Sequence, residues 1–496
     1  MSPAPTPTGP ATPPPLPPSG DPRGAPSSTI PTTTTLNTMN ANDATPAADT
    51  ATFRSLIQSL PADFQWGSAT GPTRIEGAGR EDGKGESIWD RFCAQPGRIK
   101  DSSNIDVACD HYRRYPEDVK LMRWLGLDAY RFSFSWPRVQ PLGRGAWNEA
   151  GFDFYDRLID ELLQAGIKPN ATLYHWDLPQ ALDDSIGGLL SREVVPLFAD
   201  YAAEIARRFG DRLATIATLN EPWCSATLGY ETAQFAPGHT SRAEAYQVSH
   251  HLLMMHGAAM QAMRAVGSKA QLGIVLNHTP SFPADPLSEE DRRAARIDDG
   301  TNVRWYMDPV FRGQYPADIV EYLGADAPRV QDGDLALIQQ PLDFLGINFY
   351  TRSVLNGRQQ FVTPPGELGF TDMGWEIYPQ ALTQHLLRIT REYTPPPLVI
   401  TENGMANADS IVDGRVPDAA RIAYLRGHLE ALAQAVALGA DVRGYFYWSL
   451  LDNFEWNSGY QKRFGLFHVD YASQQRLAKD SAHWYRDAIA AFKAGR

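Results

Sequence analysis

The sequence predicts an α/β chain. It reads as a single (β/α)8 TIM barrel with long βα loops, preceded by a disordered N-terminal tail, with residues 1–55 as tail and 56–496 as the catalytic barrel. Three observations carry this. Eight apolar, β-prone runs alternate with amphipathic helical stretches, the order of parallel β/α units rather than of a sandwich. Each run ends at or just before a polar or aromatic residue, as expected where barrel chemistry sits at the C-terminal ends of strands. Two of them end on a glutamate, far apart in sequence.

In order, the strands are placed near 64–70, 128–133, 168–174, 214–219, 271–276, 343–347, 398–401 and 442–449. Helices near 193–209, with Val194, Leu197, Phe198, Tyr201 and Ile205, and near 419–438 carry apolar residues at helical spacing, so their stripes would cover the barrel. The stretches 71–118 and 277–340 exceed ordinary βα loops and would wall a pocket. A length of 496 residues fits one barrel with insertions.

The first fifty residues are Pro, Thr, Ala and Ser with few large apolar side chains, too few to offset the entropy of ordering. Arg23 is their one basic residue and no apolar segment of signal-peptide length follows, so a cytoplasmic location is expected, with Met39 as an alternative start. No run of about 18 apolar residues is present, which argues against a spanning helix. A net charge of −13 without clustered Lys and Arg argues against nucleic acid as a partner. Cys93, Cys109 and Cys224 lack metal spacing and read as thiols in a reducing compartment, with Cys224 close enough to Glu221 in sequence for a thiol reagent to disturb it. His250, His251 and His256 fall in a helical run without a carboxylate partner set, so no metal or cofactor is expected. The oligomeric state is not legible.

The glutamates are Glu221 in Thr218-Leu219-Asn220-Glu221-Pro222 and Glu402 in Val399-Ile400-Thr401-Glu402-Asn403-Gly404. They can meet only if separate strands end at one rim. Cleaving a glycosidic bond with retention needs such a pair about 5 Å apart, one to protonate the leaving oxygen and one to attack the anomeric carbon. A carboxyl group beside a second carboxylate in a partly desolvated site stays protonated near neutral pH, which fits Glu221 as acid. Glu402 must be ionised to attack.

These two strings resemble the active-site motifs of glycoside hydrolase family 1, the β-glucosidase family. So do Phe64-Gln65-Trp66-Gly67, Tyr130-Arg131-Phe132-Ser133, Tyr174-His175-Trp176-Asp177-Leu178-Pro179, Gly346-Ile347-Asn348-Phe349-Tyr350, Met373-Gly374-Trp375-Glu376 and Trp448 to Trp456, in the same order, from about Pro61 to Ala490. The resemblance implies a retaining β-glycosidase, expected to be a β-glucosidase, acting on a small-molecule β-glycoside. It implies Arg131 as counter-charge to Glu402, Tyr350 as hydrogen-bond donor to the same carboxylate, Asn220 as ligand of the sugar 2-hydroxyl, Asn348 in support, and His175, Trp448, Glu455 and Trp456 as ligands of the sugar. The Glu455-Trp456 pair resembles the branch of the family that takes unphosphorylated sugars.

One position departs from that pattern. Where the family carries Tyr-Gln before Ile-Glu-Gly, this chain has Thr73-Arg74. Glutamine both donates and accepts, whereas arginine only donates. Arg74 is expected to pair with Glu455 and still offer N–H groups to the sugar, to read an anionic or modified sugar, or to swing out of the site. Altered glycone specificity, transglycosylation and a non-catalytic sugar-binding barrel remain alternatives.

Overall fold

The computed structural model describes residues 47–496. The chain divides into Met1–Ala51 and Thr52–Arg496. Residues 1–46, the larger part of the expected tail, lie outside the described residues. A helix, Ala47–Gln58, runs across residue 55. Phe53 and Ile57, one helical turn apart, are buried, and the Phe53 ring packs on Trp484 with centroids 5.3 Å apart.

Eight parallel strands close into a barrel. They are β1 (Gln65–Ala69), β2 (Ala129–Ser133), β3 (Lys168–Tyr174), β4 (Thr215–Asn220), β5 (Gln271–Asn277), β6 (Phe344–Asn348), β7 (Leu398–Asn403) and β8 (Val442–Trp448). β1 pairs with both β2 and β8, which closes the ring. The expected strands agree with these to within a residue or so, except that β7 runs two residues past Thr401. Glu402 is therefore part of the sheet: it pairs with Asn348, and its carbonyl accepts from the Phe349 N–H at 2.9 Å.

Helices pack outside the barrel as the apolar spacing requires. Val194–Phe209 buries Val194, Phe198, Tyr201, Ile205 and Phe209, and Ala419–Ala437 buries Tyr424, Leu425, Leu429 and Leu432. The long insertions are not bare loops. Residues 277–340 contain four α-helices, among them Glu289–Asp299 and Trp305–Arg312, and a short strand, Ser281–Pro283, that pairs with Ser353–Leu355 beyond β6. Inside the barrel, toward the N-terminal ends of the strands, a cavity of about 410 Å³ is bounded by polar residues including Asn170, Thr215 and Arg131. Among the described residues no helix is long and apolar enough to cross a membrane.

The histidine reading needs one correction. His250, His251 and His256 are buried on the helix Arg242–Ala265. His250 does have a carboxylate partner, its Nε2 lying 2.9 Å from Asp334 Oδ2. That partner arrives from a separate short helix, Asp334–Ile338, and leaves no local trace in the sequence. Among the described residues no group of three or more His, Cys, Asp or Glu is placed to hold a metal ion.

Candidate active site

Strand ends bring the expected residues to one rim. Asn220 closes β4, and Glu221 follows it. Asn348 closes β6, with Tyr350 just beyond. Glu402 is the penultimate residue of β7, Trp448 closes β8, and His175 follows β3. Arg131 stands in the middle of β2 and reaches Glu402 from the barrel interior. Arg74 sits on the one-turn helix Pro72–Ile75 after β1, and Glu455 and Trp456 lie in the loop after β8. β5 supplies none of them.

The local backbone explains why these strings read as they do. A Cβ on Gly404 would lie 1.8 Å from the Trp448 carbonyl oxygen, so the glycine lets the ends of β7 and β8 approach. Trp176, Glu221 and Trp456 adopt φ of +79°, +46° and +47°. Such left-handed residues cost about 1 to 3 kcal/mol each and persist where their surroundings hold them. Here the Glu221 N–H donates to Val275 O at 2.9 Å, and Trp176 Nε1 donates to Asn220 O at 2.7 Å.

The two glutamates have different environments. Glu402 is buried and accepts twice, from Arg131 Nη1 at 2.7 Å and from the Tyr350 hydroxyl at 2.6 Å. Burial and the Glu402 charge hold the Tyr350 phenol above its ordinary pKa, so it stays a donor. Glu221 accepts from Asn348 Nδ2 at 2.7 Å and from Cys224 Sγ at 3.2 Å. Burial first, and then the negative charge of Glu402, push its carboxyl up to about 7, against the opposing hydrogen bonds from Asn348 and Cys224. One carboxyl is thus supplied with donors suited to an anion, and the other is kept protonated near neutral pH.

Asn220 links the two halves. Its Oδ1 accepts from Arg131 Nη2 at 2.7 Å and from Asn348 Nδ2 at 3.0 Å. Its Nδ2 therefore faces His175 Nε2, 3.1 Å away, which must be the acceptor. The proton of His175 then sits on Nδ1 and is donated to Ser133 Oγ at 3.0 Å. Burial, together with the charges of Arg131 and Arg74, lowers the pKa of this imidazole and keeps it neutral.

Arg74 has not swung out. It is 5% exposed, with Nη1 2.6 Å from Glu455 Oε2 and Nη2 3.3 Å from Glu455 Oε1. Its guanidinium carbon lies 4.6 Å from the Trp448 ring centroid and 4.5 Å from that of Trp456. Burial pushes the Glu455 carboxyl up and the Arg74 charge opposes this.

Several contacts escaped the sequence reading. Ser133, Trp176 and Thr401, whose hydroxyl donates to Asn348 Oδ1 at 2.7 Å, stand within the quoted strings but received no role. Asn453, which accepts from Arg74 Nη1 at 3.3 Å, is adjacent to Phe454 in the last string. The Trp375 ring lies 5.4 Å from that of Tyr350.

A closed barrel bearing at its C-terminal rim two carboxyls, one pushed up towards neutral pH and the other met by an arginine and a tyrosine hydroxyl, defines the class, an enzyme that cleaves glycosidic bonds. The family model for glycosyl hydrolase family 1 matches residues 56–493, and the chain belongs to that family. It is 43% identical over 447 residues to beta-glucosidase A of Acetivibrio thermocellus, covering 87% of this chain and 98% of the relative. It is 44% identical over 459 residues to a bifunctional beta-D-glucosidase/beta-D-fucosidase of Bifidobacterium breve, with coverage of 87% and 98%. A beta-glucosidase of Thermotoga maritima, solved in complex with glucoimidazole, superposes with a TM-score of 0.85 at 42% identity, covering 88% of this chain and 99% of that one.

Proposed function

We propose that this chain is a retaining β-glucosidase, hydrolysing terminal β-D-glucosyl residues of small β-glycosides through a glycosyl ester on Glu402, with Glu221 as acid and then base. The observation that carries this reading is the asymmetry of the pair. In the first step a Glu402 oxygen attacks the anomeric carbon as the bond to the leaving oxygen breaks, and Glu221 gives its proton to that oxygen. Ester formation removes the Glu402 charge that helps hold Glu221 protonated, so Glu221 becomes more acidic. It can then take a proton from water as the water oxygen attacks the anomeric carbon and frees Glu402. Arg131 and Tyr350 hold the nucleophile in place, and Asn220, oriented by His175, offers its remaining amide N–H to the sugar.

The names of the Acetivibrio and Bifidobacterium relatives support β-glucoside as the substrate, and the latter also supports some breadth at the sugar. Three free cysteines, two of them buried, fit a reducing compartment, and we take the cytoplasm as its place of action. The test is turnover of nitrophenyl β-glycosides, with early products followed by proton NMR. The first sugar released should be the β-anomer. Initial release of the α-anomer would rule out retention.

A further inference from the structure

The two oxygens of the Glu221 carboxyl have unlike neighbours. Oε1 meets Asn348 Nδ2 at 2.7 Å, and Oε2 meets Cys224 Sγ at 3.2 Å. The same amide nitrogen donates to Asn220 Oδ1 at 3.0 Å, which fixes the orientation of Asn348. An amide N–H only donates, and the carbonyl oxygen of a protonated carboxyl is its better acceptor. Oε1 is therefore the carbonyl oxygen and the acid proton sits on Oε2. Cys224 stands beside the oxygen that gives up the proton and takes it back.

The backbone puts the thiol there. Glu221 has its left-handed φ, the Cys224 N–H donates to Glu221 O at 3.0 Å, and Cys224 opens the helix Cys224–Glu231, so its side chain returns to the carboxyl three residues earlier. Both residues are buried. Burial, and then the Glu221 charge, push the thiol well up, so it keeps its hydrogen. A thiol donates through S–H and accepts through sulfur, weakly in each case. Beside protonated Oε2 the sulfur accepts. Beside ionised Oε2 the S–H turns about the Cβ–Sγ bond and donates, and this charge-assisted bond is the stronger of the two.

The other charged or titratable groups facing this pair are Glu402 from β7, Arg131 from β2, Tyr350 beyond β6, Arg74 after β1 and Tyr306 on the helix Trp305–Arg312. Arg131 and Tyr350 donate to Glu402, and Arg74 donates to Glu455. Among the described residues only Cys224 bonds Oε2.

We infer that Cys224 is a positioning residue for both proton transfers of Glu221: its thiol holds Oε2 as the proton-bearing oxygen and bonds it in either protonation state. This rests on the reading of Glu221 as acid and base and deepens it.

The experiment measures kcat/KM against pH on an alkyl β-glucoside and on nitrophenyl β-glucoside, for the natural protein, Cys224→Val, Cys224→Ser and Glu221→Ala, with folding checked by circular dichroism. Valine offers the anion no donor, so the basic limb on the alkyl glucoside should move to higher pH by about half a unit, the scale of one modest hydrogen bond. Below that limb, efficiency should fall more on the alkyl than on the nitrophenyl substrate. A serine hydroxyl is the stronger donor and should move the limb to lower pH by a similar amount. A role in packing alone would lower both substrates together and leave the limb in place. An unmoved limb in either variant, or shifts of the same sign, overturns the inference; if Cys224→Val does not fold, the sign of the Cys224→Ser shift decides. A basic limb that persists in Glu221→Ala overturns the acid/base reading as well, whereas a limb lost there but unmoved in the Cys224 variants overturns this inference alone.

Discussion

Glu402→Gly is expected to lower turnover by about 10⁵ to 10⁶, the scale on which removing a nucleophile acts, while leaving substrate binding and the fold in place. The side chain contributes nothing to the apolar core, and the truncation leaves the Arg131 and Tyr350 donors beside a space that a small anion can fill. Added azide or formate should therefore restore turnover of activated glycosides. With azide the product should be the α-glycosyl azide, because the anion attacks from the side Glu402 occupied. Near-normal hydrolysis without an added anion would remove Glu402 from the role of nucleophile.

Glu221→Ala is expected to cost about 10² to 10⁴ in rate on substrates with poor leaving groups, the usual contribution of a general acid, and far less on activated nitrophenyl glycosides. For activated substrates the glycosyl ester should accumulate, and azide should relieve it by giving a β-glycosyl azide. The pH dependence has a definite sign. Glu221 must carry its proton to act as acid, and since its carboxyl is pushed up to about 7, kcat/KM on unactivated substrates should be full below that pH and fall as pH rises through it. In Glu221→Ala that basic limb should vanish. Equal losses across leaving groups, or an unchanged basic limb, would leave Glu221 with a structural role only.

Much of this arrangement is legible in the sequence because its signals are local. The strands are short apolar runs, and the rim residues end them within recurring strings. The extension of β7 through Glu402 and Asn403 is less legible, since polar residues there read as the end of a strand although their backbones remain paired. Within 277–340, the helix Glu289–Asp299 buries only Ala294, Ala295 and Asp299 and so has little apolar stripe to read. Ion pairs from Asp299 to Arg304 and Arg388 hold its end, and neither partner belongs to that helix. The pairing of His250 with Asp334 is hidden for the same reason. Cys224 is intermediate: three residues from Glu221, its nearness is readable, but the hydrogen bond to Oε2 depends on the turn that follows β4. The pairing of Arg74 with Glu455 follows from charge and motif, whereas the enclosure of the guanidinium between Trp448 and Trp456 needs three-dimensional structure.

The central claim is a covalent glycosyl ester on Glu402. The most direct measurement is reaction with an activated 2-deoxy-2-fluoro-β-glucoside, which slows both steps but the second more, followed by peptide mass mapping of the inactivated protein. Time-dependent inactivation with one fluoroglucosyl group per chain, carried on the peptide holding Thr401-Glu402-Asn403 and assigned to Glu402, is the expected result. A label on any other residue, or steady hydrolysis with no trapped ester, would contradict it.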